Sequence, residues 1–317
     1  MRLKSLLHPF YNYDMHVWRE HHKNGTWNHL VDTNKKRALE LEWRHMCHTK
    51  LNLKNPQTLN EKIQWLELYT DTSLWTKLTD KYEVRSFVEE HGYKENLLKV
   101  YGIWNDVSEI DYDSLPNSFA IKCTHDCGST LIVKDKSKKF DKDSINRQLK
   151  EHLDKAFGYQ TCEPHYIPIP RRIMAEELLP QSSDSSSINF SSTIDYKIWC
   201  IEGKAQFVLV CYDRNIGKDA TKETYSINPW KSRKDFLSHQ LQHQEFKEIP
   251  EPKNLDYMIK MAEDLSKGFH QVRIDLYNID GKVFFSEMTF TAACGRMKSL
   301  SDEMQLSLGQ KIQLPKR

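Results

Sequence analysis

The chain has 317 residues, a net charge of +2 and a mean hydropathy of −0.71, values of a globular protein with room for two or three subdomains. No run approaches the roughly eighteen apolar residues of a membrane span, and the opening MRLKSLLHPFYNYD lacks the apolar core and small-residue cleavage site of a signal peptide. Seven cysteines without any CxxC point to reduced thiols in a cytoplasmic protein; the closest pair, Cys123 and Cys127, has no second pair at zinc spacing.

Residues 1–50 hold nine Lys/Arg against five Asp/Glu, and half of the fourteen histidines. Such a region suits either a solvated helical face or a surface for a phosphate-rich or membrane-bound partner. The aromatics Trp18 and Trp27 show no repeat among the basic residues, so a nucleic-acid partner is not expected.

In chain order, the first third reads as all-helical. Thr58-Leu59-Asn60-Glu61 is a capping box, followed by Leu59, Ile63, Leu66 and Tyr69 at helical spacing. A second helix is expected from Asp80 through Val88. Strands follow at Phe119–Cys123 and Thr130–Val133, separated by the turn THDCGS. Residues 143–157 read as helix, Ile173–Ala175 as strand, and Tyr196–Val210 as two strands around Gly203. The serine-rich QSSDSSSINFSST (181–193) is too polar to pack and reads as a loop. Residues 255–267 form an amphipathic helix leading into a charged hairpin. The fold class is α+β. It divides into a helical region 1–115, a smaller subdomain 116–180 and a larger one 181–317.

That hairpin, VRIDLYNIDGKVFFSEMTF (272–290), places Arg273, Asp275 and Tyr277 on one face of its first strand. Val283, Phe285, Glu287 and Thr289 are expected to share a face of the second. A three-residue connection, Asp280-Gly281-Lys282, sets Asp275 opposite Glu287, whereas a strict two-residue turn puts them on opposite faces. Opposed carboxylates destabilise a ladder. A magnesium ion with its preference for hard oxygen removes that penalty, and exposed carboxylates salt-bridged to lysines are the plainer alternative. Lys122 ends an apolar strand just before the Gly/Ser turn, where an ammonium and backbone N–H groups suit phosphate, though an ordinary hairpin looks the same. IMAEELLP (173–180) suits an adenine edge or a plain strand end.

Taken in order, DKYEVR (80–85), AIKCTHDCGST (120–130), AEELL (175–179), DYKIWCIEGK (195–204), CYDR (211–214) and RIDLYNIDGKVFFSEMTF (273–290) resemble the ATP-grasp superfamily. More narrowly, the chain resembles its TupA-like branch, named for teichuronopeptide synthesis and associated with bacterial surface polysaccharides. The resemblance implies two α+β subdomains clasping ATP, with ATP and Mg2+ as cofactors. It places Lys122 and Lys81 on the nucleotide phosphates, with Gly128 and Ser129 in the loop above them. Glu176, Glu177 and Leu179 would form the adenine hinge, and Asp195 would sit near the ribose. Asp275 and Glu287 would ligate magnesium, joined by Thr289 where the superfamily commonly has Asn. Arg273, Arg214 and Lys197 would meet the γ-phosphate or the anionic intermediate.

The implied reaction activates a carboxylate as an acylphosphate and joins it to an amine. The expected partners are a sugar-acid or amino-acid carboxylate and an amine acceptor, within a membrane-associated glycan assembly complex at the inner face of the membrane. A phosphotransferase or sugar-transferring enzyme on the same glycan, and a non-catalytic nucleotide-binding scaffold, are the alternatives. Tyr225 and Trp230 suit either a sugar platform or loop anchors.

Overall fold

A computed structural model describes residues 9–138, 140–180, 192–213 and 220–316. The candidate Arg214 and most of the serine-rich segment lie outside the described residues. The helices are α1 (Pro9–Lys23), α2 (Trp27–Thr33), α3 (Lys35–Cys47), α4 (Leu59–Tyr69), α5 (Ser73–Thr79), α6 (Val84–Glu90), α7 (Lys142–Asp154), α8 (Phe157–Gln160), α9 (His239–Gln242), α10 (Leu255–Ser266) and α11 (Asp302–Lys311). The strands are β1 (Val100–Trp104), β2 (Phe119–Cys123), β3 (Leu131–Val133), β4 (Ile173–Glu176), β5 (Asp195–Ile201), β6 (Lys204–Tyr212), β7 (Thr221–Ser226), β8 (Lys231–Ser232), β9 (Gln271–Ile279) and β10 (Lys282–Thr289).

Helix α4 begins at the expected capping box. The Thr58 hydroxyl accepts from the Glu61 N–H at 3.2 Å, and the Glu61 carboxylate accepts from the Thr58 N–H at 3.1 Å. Its Leu59, Ile63 and Leu66 are buried, while Tyr69 stays at the surface. The other face meets the C-terminal region: Asn60 donates to Met297 O at 2.8 Å, and Lys62 donates to Ile312 O at 2.7 Å. The expected second helix is broken. Asp80 ends α5 and α6 starts at Val84, because the Asp80 carboxylate accepts from the Tyr82 N–H and from Arg172 and so fixes a turn.

Two antiparallel sheets follow. The smaller has the order β1-β4-β2-β3 and the larger β10-β9-β5-β6-β7-β8. The expectation of an all-helical first third holds only to Glu90, since β1 pairs with β4 and joins the small sheet. Its five residues, VYGIW, are too short a run to separate a strand from a loop by periodicity. Helix α7 covers one face of the small sheet, burying Leu149 and Leu153 against Phe119, Ile121, Ile173 and Ala175. Lys122, Met174 and Glu176 occupy the opposite face. On the large sheet, α10 buries Met258, Met261, Ala262 and Leu265 in a core with Ile198, Val208, Ile274 and Leu276. The opposite face of β5, β9 and β10 therefore carries the polar side chains.

The β9–β10 connection differs from the expected three-residue loop. Ile279 pairs with Lys282, leaving Asp280 (φ +54°) and Gly281 (φ +95°) as a two-residue turn, the left-handed geometry of a type I′ hairpin. Such a turn alone would place Glu287 opposite Ile274, on the core side. A β-bulge at Ser286 corrects the parity: Phe285 pairs with Leu276, and Glu287 then pairs with Asp275. Val283 and Phe285 thus face the core, while Glu287 and Thr289 face the cleft, so the four do not share a face. Tyr225 is buried, stacked on Trp230 at 4.4 Å, and Trp230 donates to Ile249 O at 2.9 Å. Both are loop anchors.

Candidate active site

The cleft face of the large sheet is built by register. Lys197 on β5 pairs with Asp275 on β9, Asp195 with Tyr277, and Trp199 with Arg273. Glu287 and Thr289 on β10 extend the same rows. Arg273 ties them together. Its Nε donates to Asp275 Oδ1 at 2.6 Å, and its Nη2 donates to Asp275 Oδ2 (2.7 Å), Glu287 Oε1 (2.9 Å) and Thr289 Oγ1 (3.0 Å). The guanidinium also lies over the buried Trp199 ring, 5.6 Å from its centroid. Lys197 donates to Asp275 and, at 2.6 Å, to Asp195. The repulsion expected between Asp275 and Glu287 is therefore already bridged by Arg273.

The cluster is densely charged: Asp195, Asp275 and Glu287 are ion-paired among Lys197 and Arg273, and Lys81 acts on Glu287 from outside the sheet. Burial lifts the Asp275 carboxyl to about 6 despite Arg273 and Lys197. Burial also pushes against the Glu287 carboxylate, but Arg273, Lys197 and Lys81 prevail and hold it at about 2. Glu287 keeps 35% of its side-chain surface exposed at the cleft, whereas Asp275 keeps none. For Lys197 and Arg273, burial opposes the charged form, yet the carboxylates outweigh it and raise both.

The small sheet supplies the other wall. Lys122 is ion-paired with Glu176 across the β2–β4 ladder, and both are largely buried. The Glu177 N–H donates to Lys99 O at 2.8 Å, so it extends the β1–β4 ladder by one residue. Leu179 joins Leu98, Ile279, Phe284 and Tyr277 in a small apolar cluster between the sheets. Those partners carry no recognisable polar signal in the sequence. The loop after β2 is stapled from within: the Ser129 hydroxyl accepts from the Cys123 N–H at 3.0 Å and donates to Asp126 Oδ1 at 2.6 Å. Asp126 also pairs with His152 of α7, and Lys81 donates to its backbone carbonyl. Gly128 takes φ +88°, open to solvent on the side a Cβ would occupy.

Three further residues border the cluster. Cys127 is exposed as a residue, but its thiol is turned toward the protein, and that burial, with Glu287 and Asp126, raises it above its ordinary value. Tyr166 is likewise held protonated by burial and by Glu163 and Glu287. Lys222 extends the Asp195 row through Cys211. Trp199 was findable, because it alternates with Asp195 and Lys197; Tyr166 and Cys127 are brought in by loops and had no such signal. Among the described residues, no group of three or more His, Cys, Asp or Glu is placed to hold a metal ion. Two carboxylates suffice for magnesium, which keeps waters and substrate phosphates as its other ligands.

Helices packed with two antiparallel sheets make an α+β fold, the class expected of an ATP-grasp protein. The TupA-like ATP-grasp family model matches residues 61–313, and the chain belongs to that family. No curated protein matches. Among solved structures, the D-alanine–D-alanine ligase of Bacillus anthracis complexed with ATP is similar at 12% identity and a TM-score of 0.37, over 68% of this chain and 54% of that one. The Helicobacter pylori D-alanine–D-alanine ligase is similar at 14% identity and a TM-score of 0.37, over 81% and 69%. The ATP-grasp ligase PsnB complexed with a phosphomimetic precursor variant, Mg and ADP reaches 12% and 0.41, over 93% and 73%. The chain spans only about half of the first of these ligases.

Proposed function

We propose that the protein is an ATP-dependent carboxylate–amine ligase in bacterial surface polysaccharide biosynthesis, of capsule, O-antigen or teichuronic type. The observation that carries this reading is the cleft face of the large sheet, where Arg273 bridges Asp275 and Glu287 and Lys197 joins Asp275 to Asp195. Its donor set fits magnesium: two hard carboxylates, with the Thr289 hydroxyl 3.1 Å from Glu287 Oε1. When bound, the ion would neutralise charge on the nucleotide phosphates.

This chain's residues do the positioning. Lys122 of the small sheet and Lys81 of the turn before α6 hold phosphate oxygens, below the loop of Gly128 and Ser129. Leu179 and its apolar neighbours receive the adenine at the hinge of Glu176 and Glu177, and Asp195 meets the ribose. Arg273 and Lys197 face the γ-phosphate, with Arg214 assigned to the same task. An oxygen of the substrate carboxylate bonds to the γ-phosphorus as the bridging P–O bond to ADP breaks. The amine nitrogen then attacks the acyl carbon, phosphate departs, and the amine loses a proton. Arg273 stabilises the charge that develops, as fixed dipoles and cations do most effectively.

The carboxylate is a sugar acid or amino acid and the acceptor an amine, met at the inner face of the membrane within a glycan assembly complex. No described helix is long and apolar enough to cross a membrane. The test is interception: hydroxylamine supplied with ATP and a panel of such acids yields a hydroxamate in the absence of the natural amine. ADP with a stable phosphate ester and no hydroxamate, on an acceptor confirmed in the cell, would establish a phosphotransferase instead.

A further inference from the structure

The segment between β8 and α10 carries two histidines that play no part in the nucleotide site. Leu237 bridges to Leu300, and the Ser238 N–H donates to Ser299 O at 2.8 Å, which anchors the one-turn helix α9 to the C-terminal region. His239 opens α9 and His243 follows it, four residues on and therefore on the same face. Both are exposed. Their Nε2 atoms lie 3.5 Å apart, with the rings at 77° and their centroids separated by 4.7 Å.

That separation is long for a hydrogen bond between imidazoles. It is close to what a shared metal ion requires. Two nitrogens bound tetrahedrally at the usual zinc–imidazole length sit about 3.3 Å apart. The terminal torsion of histidine is broad, so a small ring rotation aims both lone pairs at one point. Neither ring is paired with a carboxylate or with any other described group. Both are available to a ligand from solvent.

We propose that His239 and His243 form a bidentate surface site for a first-row transition-metal ion such as Zn2+, Ni2+ or Cu2+. Imidazole nitrogen favours these ions, whereas magnesium prefers oxygen, so the site is chemically separate from the carboxylate pair at the cleft. Water fills the remaining positions. Metal binding closes the four-residue span and pins α9 in its helical turn.

The experiment uses the untagged full chain, a chromophoric zinc indicator as competitor, and thermal unfolding with ZnCl2 or MgCl2. The wild type takes up one zinc ion at micromolar concentration and gains thermal stability, and MgCl2 in excess does not reproduce the gain. His239→Ala and His243→Ala each weaken zinc binding at least about tenfold and lose the zinc-dependent gain, with metal-free melting unchanged because both side chains are at the surface. Full zinc uptake by the double variant, or none by the wild type at micromolar ion, overturns the assignment.

Discussion

Asp275 has the most consequential environment of any single residue. Fully enclosed, its carboxyl is lifted to about 6 even with two cations bonded to it. The folded state thus binds a proton more readily than the unfolded chain, so this group's contribution to stability falls as pH rises from about 4 to about 6. Glu287 acts oppositely: its depressed carboxyl contributes fully above the ordinary range and loses that contribution only as pH drops toward 2. Asp275→Asn should therefore flatten the decline between pH 4 and 6 in urea titrations and leave apo stability at pH 7 equal or higher. Turnover should fall by about 10²- to 10³-fold. A large loss of apo stability at pH 7 would mean that the Lys197 and Arg273 ion pairs dominate over burial. For Lys122→Ala, nucleotide affinity measured by calorimetry should drop at least about tenfold; unchanged affinity would remove Lys122 from the phosphate site.

At the scale of elements, the bulge at Ser286 decides which side chains meet. Deleting Ser286 gives a regular ladder in which Phe285 still pairs with Leu276 and Glu287 with Asp275. That variant should lose less than about 2 kcal/mol, since no core side chain changes face. Deleting Phe284 instead draws Phe285 out of the core and should cost about 3–5 kcal/mol, the usual range for removing a buried Phe. Denaturant midpoints of the two deletions separate the cases. The same bulge marks the limit of what the sequence discloses. Alternation in β9 gave the shared face of Arg273 and Asp275 directly, whereas Asp195 and Lys197 entered only through the family resemblance. The Asp275–Glu287 facing was expected on the basis of a three-residue turn, whereas a two-residue turn plus a bulge produces it. No residue type at 286 announces an extra position. The capping box at Thr58 was legible because its signal is local, and β1 was not, because its partner β4 lies some seventy residues downstream.

For the whole molecule, each sheet has its own hydrophobic cluster, and the candidate nucleotide site draws on both. A nucleotide would therefore couple them, stabilising the bound form by mass action. In hydrogen exchange, ADP with magnesium should slow amides in β2, in residues 124–129, and in β5 and β9. It should leave α1–α3 unchanged, because none of the proposed contacts lies there. Protection confined to the large sheet would show that the small sheet does not close on the ligand. The composition of the N-terminal helices bears on this only negatively. Their basic residues are partly consumed internally, as Asp14 holds both Arg37 (2.8 Å) and Arg44 (3.3 Å).

Of the seven cysteines, Cys127 is exposed, Cys47 and Cys294 are half-buried, and the rest are buried. Because the Cys127 thiol sits in the loop beside Glu287 and Arg273, a position for a label lies at the site of interest without any engineered residue. Maleimide modification at mildly alkaline pH should attach first at Cys127, as peptide mapping would show. ATP or ADP with magnesium should retard it, turning the rate of alkylation into a binding assay that needs no knowledge of the acid or the amine. A panel of unlabelled nucleotides could then be ranked by the protection each gives, before any acceptor is known.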